Sequence, residues 1–404
     1  MTTYYVSQEV GASDSNIGSF ASPWATILHG TTTMAGGDTL IIKDGTYAEA
    51  ILNYVPTGSG SFAGASTVKA LNPRQAILQP TSGSFVLQVT GSSKQYIIFD
   101  GVVFDGVNID FNTVKLDGNV SIGFPDHIRL TNCEVMNSGD GSGLLITTDG
   151  SATNKGGFNE ILNCAIHDNG HDQAVSTGTG NTANIYVQNA DNLFEGNDIY
   201  NGWGVGITNN KQNSGFPDRN IYRKNTIHDN GLYGQKGTGL VLTSNADLQI
   251  YNNLIYNNSG TFAYGIDTDV NFTTTSKIEH NTIYGNAGTG INLGSNCSNN
   301  YVRNNIVYNN GAGISDSGTG DTVSNNLTTN PSFVNAAGAD FHLQSTSAAI
   351  GYGMDVSADG ITTDFDGVSR PTNGTWDAGA YEFVSPFVSP VSAPGRGKRF
   401  KHFH

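Results

Sequence analysis

The densest run of ionisable side chains in this 404-residue sequence is His167-Asp168-Asn169-Gly170-His171-Asp172. A His beside a carboxylate can act as acid or base near neutral pH. His228-Asp229-Asn230-Gly231 echoes the first half of the run. Asp-Asn-Gly is ordinary turn chemistry, so the echo favours a turn role for His167 and His228. His171-Asp172 is not repeated. His171 and Asp172, with Lys236 as a basic partner, are therefore the catalytic candidates. A lyase that takes the proton α to a uronate carboxyl wants a Lys or Arg base and Ca²⁺, and Lys155, Lys211, Arg219, Lys224 and Lys236 are available as bases. Asp149, Asp267 and Asp269 are the metal candidates, as Ca²⁺ ligands or as the acid and base of a glycoside hydrolase. The plain alternative for them is a solvated acidic face.

A second pattern is a series of flat side chains: Met136, His167, Tyr200, His228, Tyr256, Tyr284 and Tyr308. Sugar rings pack apolar C–H faces on aromatic rings while nearby Asn and Asp bond the hydroxyls. On this reading His167, Tyr200, His228, Tyr256 and Tyr284, with Trp203 and Tyr233 from adjoining loops, form a saccharide platform. The competing reading is a self-stacked ladder that stiffens a sheet.

Such residues meet only if the chain brings successive segments into line, and the sequence supplies that device. HIRLTNCEVMNSG, FNEILNCAIHDNG, DNLFEGNDIYNGW, RNIYRKNTIHDNG, DLQIYNNLIYNNSG, SKIEHNTIYGNAG and NYVRNNIVYNNGAG repeat one theme. A small polar residue precedes a β-branched one by two positions. Its anchors run Gly101, Cys133, Cys164, Asn197, Asn225, Asn253, Asn281, Asn305, Asn326, spaced between 21 and 33 residues. Short alternating strands between Gly/Asn turns at this period predict one coil of a parallel β-helix per repeat. The Asn column predicts a buried amide ladder, with Cys133 and Cys164 as small column-fillers. A further strand per coil predicts inward columns Leu144/Ile185/Val205/Leu240/Ile266/Ile291/Ile314 and Ile146/Val187/Ile207/Leu242/Thr268/Leu293. The outward column between them is Leu145, Tyr186, Gly206, Val241, Asp267, Asn292, Ser315. By the same register His171, Trp203, Tyr233 and Lys236 share one face.

Composition narrows the classes. Charged residues are 13% of the chain, about half the usual ~25%. Aromatics at 10% argue against a disordered chain. The net charge of −15 argues against broad nucleic-acid binding. No apolar run approaches the ~20 residues of a membrane span. Three cysteines give neither a disulfide framework nor a zinc spacing. MTTYYVS has no basic and apolar regions of a secretory signal.

The first segment, YYVSQEVGASDSNIGSFASPWATILHG then GGDTLIIKDGTYAEA, resembles the N-terminal cap of secreted and phage-borne, pectate-lyase-like right-handed parallel β-helix proteins. NPSFVNAAGADFHLQ and DFDGVSRPTNGTWDAGAYEF resemble their C-terminal segment, and the repeats resemble the generic NN-IY-N-G unit. The resemblance implies an all-β, single-stranded parallel β-helix. Residues 1–50 are read as the cap and first coil, 51–330 as coils, 331–383 as a closing β segment, and 384–404 as a Pro/Ser-rich basic tail. Residues 1–384 carry 15 basic and 34 acidic side chains, against four basic and no acidic ones after them. The class spans lyases, epimerases, hydrolases, tailspikes and adhesins, so the fold leaves function open. The first reading is a glycan-facing virion spike, fibre or adhesin. It acts outside cells, is anchored through its tail by a partner subunit, and is a trimer in many spikes. The second is a secreted lyase, epimerase or hydrolase of an acidic polysaccharide, with Ca²⁺ as its possible cofactor. The third is a non-catalytic surface protein.

Overall fold

The fold is taken from a computed structural model, which describes residues 1–118, 122–147, 157–171, 182–211, 217–232, 236–243, 245–268, 273–372 and 374–385. Each repeat crosses three parallel sheets in turn. Sheet I has twelve strands, from Thr3–Val6 to Thr322–Ser324. Sheets II and III have ten each, ending at Ile306–Tyr308 and Ala312–Asp316. Successive coils pair in register, as in Ile199↔Ile227↔Ile255↔Ile283 on sheet II. These four side chains are fully buried, as are Phe194, Tyr222, Ile250 and Ile278 on sheet I. Burying one such side chain contributes roughly 1.5–3 kcal/mol, against 0.2–1 for a surface pair across strands. The inward columns therefore hold the coil together, and the polar ladders set its turns.

The predicted Asn column is present. Nδ2 of Asn197, Asn225, Asn253, Asn281 and Asn305 each donates to Oδ1 of the next Asn, at 2.9–3.0 Å. The same Oδ1 atoms accept the backbone N–H of the coil before, which satisfies the corner. At the wide end Cys164 donates its N–H to Asn197 Oδ1, and Cys133 and Cys164 are buried free thiols. Two further ladders went unpredicted. Asn230, Asn258, Asn286 and Asn310 link at 2.8–3.0 Å, and Asn159, Asn192 and Asn220 at 2.9 Å.

Register corrects two expectations. Gly101 is not a rung of the Asn column. With φ 69° it heads the left-handed corner before it, followed by Asn132, Asn163, Gly196, Lys224, Asn252, His280, Asn304 and Asn325. Such a backbone costs an ordinary L-residue roughly 1–2 kcal/mol, and Gly and Asn tolerate it best. On sheet III, Ile207 and not Val205 stacks on Ile185, because Val205 pairs with Ala183. Asn209 then enters the inner column, held by Tyr222 Oη and Asn220 Nδ2, both at 2.8 Å. The outward position of that coil is Thr208, not Gly206.

The cap is built as its residues imply. Thr26 caps the helix Ile27–Thr33 by accepting from His29 N. Asp14 accepts from Ala25 N and Thr26 N at 2.9 Å, and Trp24 stacks on Tyr4 at 4.6 Å. At the other end, Phe333–Asn335 pairs antiparallel with Asp340–Leu343. The chain then lies back along the flank. Asp359 binds Lys277 and Arg303, Thr363 O accepts from Asn252, and Met354 bonds Asn304. Arg370 and Glu382 form a fully buried pair at 2.7 Å. No helix among the described residues is long and apolar enough to cross a membrane.

Candidate functional site

The flat side chains do stack in one column on sheet II. His167–Tyr200, Tyr200–His228 and His228–Tyr256 lie 4.6, 5.3 and 4.8 Å apart, nearly parallel. Each His is bracketed by two carboxylates. His167 meets Asp168 at 2.7 Å and Glu134 at 3.0 Å; His228 meets Asp229 at 2.7 Å and Asp198 at 3.0 Å. Burial opposes charging of both rings. The flanking carboxylates outweigh it and raise both above the ordinary His range. Both nitrogens of each imidazole are committed to carboxylates.

The C-terminal segment covers the rest of this column. Phe341 packs on Tyr256 at 5.0 Å and on Tyr284 at 5.4 Å, and Phe333 reaches Tyr284 at 5.8 Å. Tyr256 is only 8% exposed, and burial pushes its hydroxyl up to about 12. Tyr256 and Tyr284 thus both pack on the docked segment, which buries the first and half-buries the second. His167, Tyr200 and His228 lie before it.

A cleft of about 520 Å³ opens on the outer face of sheet III. Tyr186, Thr208, Val241 and Asp267 stand in register along it. Lys236, Thr238, Phe262 and Tyr264 line it from the connections that enter the sheet, and Asn210 and Thr243 from the next outward position. The polar groups are ordered: Asn210 donates to Tyr186 Oη at 2.6 Å, Thr243 to Asn210 Oδ1 at 2.5 Å, and Asn292 to Asp267 Oδ1 at 2.9 Å. Lysine, carboxylate, amide, hydroxyls and three aromatic rings meet there. That mix, at this volume, is the make-up of a ligand pocket.

His171 and Trp203 meet edge to face at 4.6 Å. With Asp168 they line a separate groove of about 510 Å³ over Gly106, Val107 and Ile109. The described lining residues of the two clefts differ, while Trp203 N donates to Asn169 O, Gly231 N donates to Gly202 O and Gly237 lies against Gly231, so the corners that carry His171, Trp203 and Lys236 follow one another on successive coils. Asp172, Tyr233, Asp149 and Asp269 lie outside the described residues. Among those described, no three His, Cys, Asp or Glu are grouped to hold a metal ion. Asp267 alone does not make a Ca²⁺ site, which takes six to eight oxygens, and no step below passes through a metal.

The family of right handed beta helix region proteins matches over residues 86–328. The chain belongs to that family. No curated relative matches the sequence. Solved structures share the fold over most of its length. Pectate lyase Pel9A is 20% identical with a TM-score of 0.68, covering 95% of this chain and 96% of that one. A rhamnogalacturonan lyase is 17% identical with a TM-score of 0.55, covering 91% and 99%. The Dettilon tailspike protein is 14% identical with a TM-score of 0.53, covering 82% of this chain and 63% of that one. At these identities the likeness is one of fold.

Within this β-helix, the sheet III cleft unites the predicted site residues Lys236 and Asp267. Tyr186, Asn210, Phe262 and Tyr264 were missed. Tyr186 had a legible signal, as the one aromatic in the outward column of sheet III. Asn210 ends the strand Val205–Asn210, and Phe262 and Tyr264 sit where connection length, not strand periodicity, sets position.

Proposed function

We propose that this protein acts on an acidic polysaccharide laid across the outer face of sheet III. The observation that supports it is the cleft joining Lys236 and Asp267 to the ring faces of Tyr186 and Tyr264. The structures sharing its fold include a pectate lyase and a rhamnogalacturonan lyase. The chemistry that suits this set is β-elimination at a uronate. Lys236 removes the proton α to the carboxyl. The electron pair forms the C4=C5 double bond, and the C4–O bond breaks. The leaving oxygen takes a proton from solvent. Tyr186 and Tyr264 pack on sugar faces, and Asn210, Thr208 and Asp267 bond hydroxyls. Incubation with polygalacturonate and alginate is expected to raise ultraviolet absorbance from unsaturated uronate. Lys236→Ala should cut that rate by about 10²-fold or more with unchanged circular dichroism. No product across the panel, or equal rates for the variant, would overturn the reading.

A second reading is a virion spike that shows the same cleft to host glycans, anchored through residues 384–404. Its support is the charge split between a body of net −19 and a tail with four basic and no acidic side chains. An assembly assay separates the two, as argued below.

A further inference from the structure

In the corner between sheets I and II, Asn or Gly fills the left-handed position in every described coil from Gly101 onward except at Lys224 (φ 55°) and His280 (φ 52°). His280 is fully buried, packs on Trp376 at 5.5 Å and meets Asn304 at 2.9 Å. Other bulky left-handed residues of the coils are likewise engaged. Tyr96, His127 and Phe158 stack on one another, and Arg219 grips Asp191 through two hydrogen bonds. The Lys224 ammonium, by contrast, has no hydrogen bond or ion pair among the described residues. A strained backbone carrying a half-buried, unpaired cation is the mark of a side chain kept for something outside the fold.

A cleft of about 510 Å³ lies at Lys224. Toward the N-terminus the corner is covered by Arg74, which donates to the carbonyls of Asn132 and Asn163. Toward the C-terminus it is covered by the folded-back segment, which holds Asn252 through Thr363 O and Arg370. Lys224 stands in the gap, with Phe365 and Tyr256 on one wall and Thr226 beside it. The carboxylates of the cleft are already matched, Glu195 by Arg223 at 2.7 Å and Asp198 by His228 at 3.0 Å. The positive charge of Lys224 is what remains for a ligand.

We infer that this cleft is a second saccharide site, for one carboxylated sugar residue, bound apart from the sheet III cleft. Lys224 pairs with the sugar carboxylate, Thr226 and Asp198 bond hydroxyls, and Phe365 packs on a C–H face. The polymer's identity rests on the acidic-polysaccharide reading above; the site itself does not.

Calorimetric titration with tetragalacturonate, and with cellotetraose as the uncharged control, tests it in the Lys236→Ala background. Lys224→Asn is the informative variant, because Asn is what neighbouring coils place at this corner. It should melt no lower than its parent, weaken tetragalacturonate binding tenfold or more, and leave cellotetraose unchanged. Rising salt should weaken the parent's binding and barely alter the variant's. Equal tetragalacturonate affinity with and without Lys224, or no binding by the parent, overturns the second site. Failure of the elimination reading is seen separately, as absence of unsaturated product from the otherwise unaltered protein.

Discussion

At the residue scale, one side chain carries several backbone obligations. Asn253 donates to Tyr222 O at 2.8 Å and to Asn281 Oδ1 at 2.9 Å, and accepts from N and Nδ2 of Asn225 at 3.0 Å. It is fully buried, so no water replaces these partners. Asn253→Ala orphans the Asn225 N–H and takes one donor each from the Tyr222 carbonyl and Asn281 Oδ1. Each unsatisfied buried group costs about 1–3 kcal/mol, so the variant should lose about 3 kcal/mol in urea unfolding. A loss under 1 kcal/mol would mean the ladder is ornamental. The His rungs of sheet II differ in kind: each ring nitrogen meets a carboxylate, which raises both rings above the ordinary His range against the opposing effect of burial.

At the element scale, the folded-back C-terminal segment is the feature with the largest consequences. It packs on Tyr256 and Tyr284, walls the Lys224 cleft with Phe365, and buries Glu279 beside Arg303 and Asp359. Burial pushes Glu279 up to about 7, because the desolvation of its carboxyl exceeds the attraction of an Arg303 that Asp359 shares. Its ordinary value is 4.5, so between that pH and about 7 the folded chain keeps a proton the unfolded chain has lost. Stability must then fall as pH rises through this window. Glu279→Gln removes that component. Urea midpoints of wild type and variant, compared at pH 5 and pH 7.5, should shift against each other, with wild type losing ground at the higher pH. A constant difference would show that Glu279 titrates as an exposed acid does.

At the scale of the whole molecule, the folded-back segment is tied to itself and to the coils through the buried Arg370–Glu382 pair and the bond from Ala380 N to Thr282. Deleting residues 386–404 should leave the melting temperature unchanged within about 1 °C. If the tail is an anchor, the same deletion abolishes incorporation into particles while glycan binding persists. Unchanged incorporation would remove the spike reading and leave the elimination reading untouched.

The sequence by itself determined what depends on period and on side-chain type. A recurring small-polar residue two positions before a β-branched one compels the stacked coil, because that order alone buries the branched residue and satisfies the corner. The Asn column and the aromatic column follow from the same spacing. Only the tertiary structure decided what depends on connections of unequal length. It moved Gly101 to the corner, slipped Thr208 into the place expected of Gly206, and folded the last segment over Tyr256. It also joined Lys236 to Asp267. Strand periodicity fixes neighbours along a column. Which loop leans over which column depends on packing between residues far apart in sequence, and no local pattern records it.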